Sequence, residues 1–100
     1  MKIVDDLLVK VKLNLIIEHS DDDELLRNLI RAALDYAKNY QNRKRLSKLP
    51  PSTEQAIIML CSHWYESRDG GSGGFMSSAK GEDIMRAVNL LLALYKSWEL

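Results

Sequence analysis

The sequence has few of the residues that cross-link or interrupt a chain. Its single cysteine, Cys61, cannot form an internal disulfide, which favours a reducing compartment. It has two prolines, adjacent at 50 and 51, and five glycines, all of them between residues 70 and 81. Helices or strands are therefore interrupted only near the two prolines and the glycines, and the rest of the chain forms long uninterrupted segments.

The sequence also lacks a charge excess of either sign and a long hydrophobic run. Lys+Arg and Asp+Glu balance at 14 each, which argues against DNA-phosphate binding as the main activity. No apolar run approaches the roughly 20 residues needed to span a bilayer. The first ten residues include Asp5 and Asp6 and lack the apolar core of a secretory signal. We expect a soluble, cytoplasmic protein with no membrane partner.

The chain has 100 residues, which predicts one small domain covering residues 1–100. A domain of this size buries only about 60–65% of its unfolded surface. Its first segment is ambiguous between helix and strand. Helical spacing relates Val4, Leu7, Leu8, Val11 and Leu15, whereas residues 9–15 alternate as a half-buried strand would. Helix is the preferred interpretation, because no second strand is visible to pair with this segment.

A second helix follows, with Ser20 as its expected N-cap and acids at residues 21–24 near its positive end. It should end at about Asn42, just before the basic residues Arg43, Lys44 and Arg45. Its expected apolar face is formed by Leu26, Leu29, Ile30, Ala33, Ala37 and Tyr40.

Pro50 and Pro51 break the chain before a third helix. Ser52 and Gln55 have the spacing of a capping box, in which the two side chains bond to each other's backbone N–H groups. This helix should end near Asp69. The residues expected on its apolar face are Ile57, Leu60, Cys61, Trp64 and Tyr65.

A Gly/Ser-rich loop at about residues 70–81 precedes the last helix, predicted at Glu82–Trp98. That helix is apolar on nearly every side, more than one small domain can cover. Self-association is therefore expected. The residues predicted to contact another chain are Phe75 and Met76 in the loop, and Leu90, Leu94 and Trp98 in the helix.

No catalytic, cofactor or metal site is predicted. Cys61 and His63 are two residues apart on a helix, so their side chains diverge, and a cysteine on an apolar face is usually a core residue. The acidic run lacks the glycine-containing calcium loop that would make it a metal site. "GGSGG" lacks the Lys-Ser/Thr ending of a phosphate-binding loop. An enzyme is therefore not expected.

Two stretches carry a family resemblance. Residues 11–43 resemble the opening of the small head–tail connector proteins of tailed bacteriophages, through Val11, Lys12, Leu15, Ile17, Asp21, Asp22, Leu25 and Leu26. Residues 56–70 are similar to a second helix of that family, through Ala56, Leu60, His63, Trp64, Tyr65 and Arg68. The resemblance implies an all-α fold, a small bundle of about four helices with the Gly/Ser-rich loop before the last.

The function that this resemblance implies is structural. Rings of about a dozen copies dock beneath the portal of a filled capsid, help to retain the packaged DNA and present a surface to the next adaptor or tail. The protein is then a virion component assembled in the bacterial host cytoplasm, and Arg43, Lys44 and Arg45 are candidates for facing the DNA channel or an acidic surface. The alternative is a small helical nucleic-acid-binding or regulatory protein that uses these basic residues as its phosphate contact.

Overall fold

The computed structural model describes residues 2–43, 49–67 and 78–96, which form four helices. They are α1 (Lys2–Leu15), α2 (Asp23–Tyr40), α3 (Pro51–Ser67) and α4 (Ser78–Ala93). No strand occurs within those three ranges, so the predicted all-α bundle of four helices is confirmed. Residues 70–77 of the predicted loop lie outside the described residues.

The ambiguous first segment is helical, including residues 9–15. Val4, Leu7, Leu8 and Val11 are buried and form the core-facing side of α1. The strand-like alternation has a simple cause: Val9 and Leu13 lie on the opposite side of the same helix and are exposed. Two apolar sides of one helix therefore mimic the period of a strand.

α1 ends in a turn that requires a left-handed residue. The N–H of Ile17 donates to the carbonyl of Lys12 at 2.9 Å, and the N–H of Ile16 donates to the carbonyl of Leu13 at 3.3 Å. This pair of hydrogen bonds closes many helices, usually around a glycine. Here the turning residue is Ile16, with a φ of 57°, where a β-branched side chain is strained.

α2 begins later than the sequence predicted, and the expected N-cap Ser20 is wrong. Asp22 occupies the N-cap position, and its side chain makes no capping hydrogen bond. The carboxylate of Asp22 instead accepts a hydrogen bond from the hydroxyl of Tyr65 on α3. The acidic residue is therefore used to join two helices. α2 ends at Tyr40, two residues before the predicted end at Asn42. Asn42 itself has a φ of 57° and turns the chain.

The predicted capping box at the start of α3 is also wrong. The N–H of Glu54 donates to the carbonyl of Pro50 at 2.9 Å, which makes Pro50 the N-cap and places Ser52 inside the first turn. The buried Oγ of Ser52 has no hydrogen-bond partner among the described residues, so no bond to the Gln55 backbone forms. The proline at position 51 begins the helix because its fixed φ suits the first helical position.

α4 begins one turn before the predicted Glu82 and ends at Ala93 rather than Trp98. Residues 78–81, which were predicted to be loop, are therefore helical. Beyond Ala93 the chain tightens, since the N–H groups of Leu94, Tyr95 and Lys96 donate to carbonyls three residues back at 3.4, 3.2 and 3.3 Å. Trp98 lies outside the described residues.

The four helices are arranged around a central pair. α2 packs against α3, and both α1 and α4 pack against these two helices. In the described ranges, no Cα atom of α1 comes within 8 Å of one in α4. The core lies between the helices and includes Leu7, Val11, Leu26, Ile30, Ile57, Leu60, Val88 and Leu92. The first and last helices therefore lie apart, each with one side on the core and one side exposed.

Candidate interaction surfaces

Cys61 and His63 do not form a reactive pair. Cys61 is completely buried in the core, and burial raises the pKa of its thiol to about 12. It is therefore a neutral thiol at physiological pH and not a nucleophile. His63 is half-buried on another side of α3. There its imidazole lies next to Gly81 of α4, whose Cβ, if it had one, would be 3.8 Å from the ring.

The acids at residues 21–24 are distributed among structural partners rather than gathered at a metal. The carboxylate of Asp23 pairs with Lys12 of α1 at 2.7 Å, and that of Glu24 pairs with Arg27 at 2.9 Å. Among the described residues, no three His, Cys, Asp or Glu side chains are grouped so that they could hold a metal ion. These acids lie at the start of α2, where the helix dipole favours negative charge.

A shallow groove of about 350 Å³ lies between α1 and the start of α3. Across it, the Nζ of Lys10 pairs with the carboxylate of Glu54 at 2.8 Å. Two of its polar groups are thus bonded to each other. This ion pair joins α1 to the start of α3 across the groove.

A buried glutamine holds three helices together. Gln41, which directly follows α2, is only 1% exposed. Its Nε2 donates to the Oγ1 of Thr53 on α3 and to the carbonyl of Leu92 on α4, both at 2.9 Å. These bonds satisfy polar groups that have little access to water. They also hold α4 against the central pair, which determines which of its sides is exposed.

Leu90 and Leu94 lie on the exposed side of α4. Their exposed fractions are 65% and 67%, large for leucine, whereas Val88 and Leu92 face the core with at most 1% exposed. Leu90 and Leu94 were predicted as interface residues and are available for a contact.

No described helix combines the length and hydropathy needed to cross a bilayer. The other predicted contacts, Phe75, Met76 and Trp98, lie outside the described residues.

A second exposed apolar surface lies on α1, and the sequence analysis missed it. Val9 is 60% exposed, Leu13 is 73% exposed and Ile16 is 82% exposed. Their four- and three-residue spacing places them along one side of the helix. That spacing was visible in the sequence. It was hidden by the stronger apolar pattern of the core-facing residues and by the apparent strand period.

Arg43 has a structural role in the described chain. Its Nε and Nη2 donate to the carbonyl of Tyr95, at 3.0 and 2.7 Å, so its charge lies at the carboxyl end of α4. A cation is favourable there because the helix dipole is negative. Lys96 lies over the ring of Tyr40 at 5.2 Å, a second link between the same two chain ends. Lys44 and Arg45, the other predicted basic contacts, lie outside the described residues.

The aromatic residues near the end of α3, Trp64 and Tyr65, have a structural role. Both are half-buried and pack against the core, as the apolar pattern of α3 predicted. The Tyr65 hydroxyl also donates to the carboxylate of Asp22, so its polar end is satisfied. These aromatic residues join α3 to its neighbours.

One of three comparisons with known proteins found a match. A model of the family described as phage gp6-like head–tail connector protein matches residues 5–95. A search of curated proteins found no match, and a search of solved structures found none either. The match includes all of α2, α3 and α4 and most of α1. This helical chain, with its buried thiol and its exposed apolar helix sides, therefore belongs to the phage gp6-like head–tail connector protein family.

Proposed function

We propose that this chain is the subunit of a ring that joins the head of a phage or prophage particle to its tail. Family membership over residues 5–95 supports a connector role. The observation that carries the ring proposal is the exposure of Leu90 and Leu94, at 65% and 67%, opposite the buried Val88 and Leu92. Apolar surface of this kind marks a contact with another protein.

In this proposal the ring acts by its geometry and not by chemistry. It docks beneath the portal protein, extends the conduit through which DNA passes and presents a rigid surface to the next adaptor or tail. Retention of the packaged DNA follows from closure of that conduit. A connector is not an enzyme class, and the buried Cys61 agrees with a role that needs no nucleophile.

The contacts proposed for the ring extend beyond α4. Phe75, Met76 and Trp98 stay predicted interface residues. Arg43, Lys44 and Arg45 stay candidates for facing DNA or an acidic surface. For Arg43 this role has to be compatible with its hydrogen bonds to the Tyr95 carbonyl. A nucleic-acid-binding regulator has less support, because the net charge is zero and Arg43 already binds this carbonyl.

Deletion of the gene from the phage or prophage tests the connector function. We expect heads that package DNA but carry no tail, or that lose their DNA, as seen by electron microscopy. The unmodified gene should restore tailed particles. A Leu90→Ser and Leu94→Ser double variant should not, because its apolar contact is gone.

Ala32→Ser, at an exposed position of α2, is the matched control and should restore tailed particles. Normal tailed particles in the absence of the gene would refute the proposed function. If purified copies associate, the association should persist as salt rises, because apolar contacts are not screened. A steep loss with salt, together with binding to DNA, would favour the nucleic-acid-binding alternative.

A further inference from the structure

The exposed side of α1 carries charges as well as apolar residues. Lys2 and Asp5 precede Val9 and Leu13 on the same side, and all four are exposed. We call these four residues the α1 stripe. In order along the helix these four residues are positive, negative, apolar and apolar over about 17 Å, and Asp6, which is also exposed, lies beside them.

The exposed side of α4 has the same spacing with the opposite charges. Asp83 and Arg86 precede Leu90 and Leu94, and all four are exposed. We call these four residues the α4 stripe. Leu94 lies in the closing turn, one residue beyond the end of α4. The stripe reads negative, positive, apolar, apolar.

We propose that the α1 stripe of one subunit packs in parallel against the α4 stripe of the next copy of this chain. This inference rests on the proposed ring and names its contact between subunits. A single register aligns every position, since all four pairs are 81 residues apart in the sequence. The pairs are Lys2 with Asp83, Asp5 with Arg86, Val9 with Leu90, and Leu13 with Leu94.

Other helix pairings lack this complementarity. An antiparallel arrangement that keeps the apolar contacts places Arg86 and Asp83 level with residues 17 and 20, beyond the end of α1, so neither charge meets an opposite one on that helix. Two α1 stripes related by a twofold axis would place Asp5 beside Ile17. Charge complementarity selects the register and the partner of an interface even where it adds little affinity. It therefore favours a parallel contact between α1 and α4.

The positions of the two helices suit a chain of subunits. α1 and α4 pack against the same central pair but do not contact each other within the described ranges. One subunit can therefore offer its α1 stripe to one neighbour and its α4 stripe to another. Contacts between two different surfaces produce a ring when the rotation between subunits closes. The contact is small, and closure stabilises it because every subunit is held twice.

Ile16 provides an independent sign that this side of α1 is covered. It continues the apolar line of Val9 and Leu13, is 82% exposed and has a φ of 57°. The isolated subunit thus carries an apolar residue in water and in a strained conformation. Residues in strained backbone conformations cluster at functional sites, which agrees with a role for this side of α1 in binding.

Charge reversal tests the pairing on the purified full-length chain. Asp5→Arg and Arg86→Glu each place like charges together, so each should weaken self-association about tenfold in sedimentation experiments. The double variant should associate as the unmodified chain does. An equimolar mixture of the two single variants should also associate, because each supplies the partner that the other lacks. Asp35→Arg and Arg31→Glu, on the exposed surface of α2, are matched controls and should have no effect.

The equimolar mixture of the two single variants distinguishes the loss of a contact between subunits from the misfolding of one subunit. Asp5 also pairs with Arg27 at 3.3 Å, and Arg86 pairs with Asp83 at 3.2 Å, so either single variant could disturb its own subunit. A folding defect in one chain cannot be repaired by Arg86→Glu in another. As a second readout, Val9→Cys combined with Leu90→Cys should give interchain disulfides. Val9→Cys alone should not.

Several results would overturn the pairing: an unmodified chain that stays monomeric at millimolar concentration, a mixture or double variant that fails to associate, or efficient Val9–Val9 cross-links. The gene-deletion experiment is independent of these results. Tailless heads after deletion of the gene, combined with a mixture of the two single variants that fails to associate, would leave the connector function intact and remove only this contact.

Discussion

The side-chain amide of Gln41 donates a 2.9 Å hydrogen bond to the hydroxyl of Thr53, and both residues are at most 1% exposed. A second bond from the same nitrogen reaches the carbonyl of Leu92. A polar residue at the end of α2 thereby holds α3 and α4 in place. The orientation of the exposed side of α4 depends on this junction.

Gln41→Ala should lower the free energy of unfolding by about 2–3 kcal/mol, because the buried Thr53 hydroxyl loses this donor, the Leu92 carbonyl keeps only the Tyr95 N–H, and a cavity opens. Urea denaturation followed by circular dichroism measures the change. Gln55→Ala, at an exposed position of α3, should change it by less than about 0.5 kcal/mol. Equal effects of the two variants would show that the junction has no special importance.

Ile16→Gly should raise the stability of the isolated subunit by about 1 kcal/mol, since glycine adopts a positive φ without the strain of a β-branched side chain. Thermal unfolding at low protein concentration measures the effect without self-association. Asn42→Gly is the control, because asparagine already tolerates the same φ of 57° and little change is expected. If Ile16→Gly instead lowers the stability, the contacts of the Ile16 side chain stabilise the subunit by more than its strained backbone conformation destabilises it.

Arg43→Ala should loosen the carboxyl end of α4, because the Tyr95 carbonyl loses both of its hydrogen bonds from the guanidinium. We expect a loss of stability of about 1 kcal/mol and faster hydrogen exchange at the amides of residues 94–96. Arg31→Ala on α2 is the control for removal of an exposed positive charge. Unchanged exchange together with weaker DNA binding would instead assign Arg43 to the channel surface.

Cys61 should resist thiol reagents in the folded protein at neutral pH. Burial raises the pKa of its thiol from 9.0 to about 12, so the folded state strongly disfavours the thiolate. Above pH 9 the unfolded chain ionises first. Stability should therefore fall as the pH rises from about 9 towards 12. A colorimetric thiol assay should show one reactive group per chain only after denaturation, and rapid labelling of the native protein would contradict the buried position.

Local sequence patterns predicted most of the fold. Helical spacing identified the core residues of α2 and α3, including Ile30 and Leu60, because residues three and four apart share one side of a helix. The adjacent prolines at 50 and 51 located the start of α3 because proline cannot continue a preceding helix. For the interface, the same reasoning identified Leu90 and Leu94 as apolar residues in excess of what the core needs.

The details that failed depend on partners distant in the sequence. The carboxylate of Asp22 does not cap α2 and accepts a hydrogen bond from the hydroxyl of Tyr65, 43 residues away. Gln41 is buried because Thr53 and the Leu92 carbonyl accept its hydrogen bonds. No local pattern contains such partners. The exposed side of α1 was missed for a related reason, since spacing gives two apolar sides and only packing decides which one meets the core.

The sequence by itself determined that this chain is a set of helices separated by a proline pair and a glycine-rich segment, with more apolar surface than a small core can bury. These properties follow from side-chain spacing and backbone preference, which act over a few residues. Only the tertiary structure decided which apolar sides stay in water. The packing of α1 and α4 against the central pair exposes Val9, Leu13, Leu90 and Leu94, because each helix can direct only one side towards the shared core.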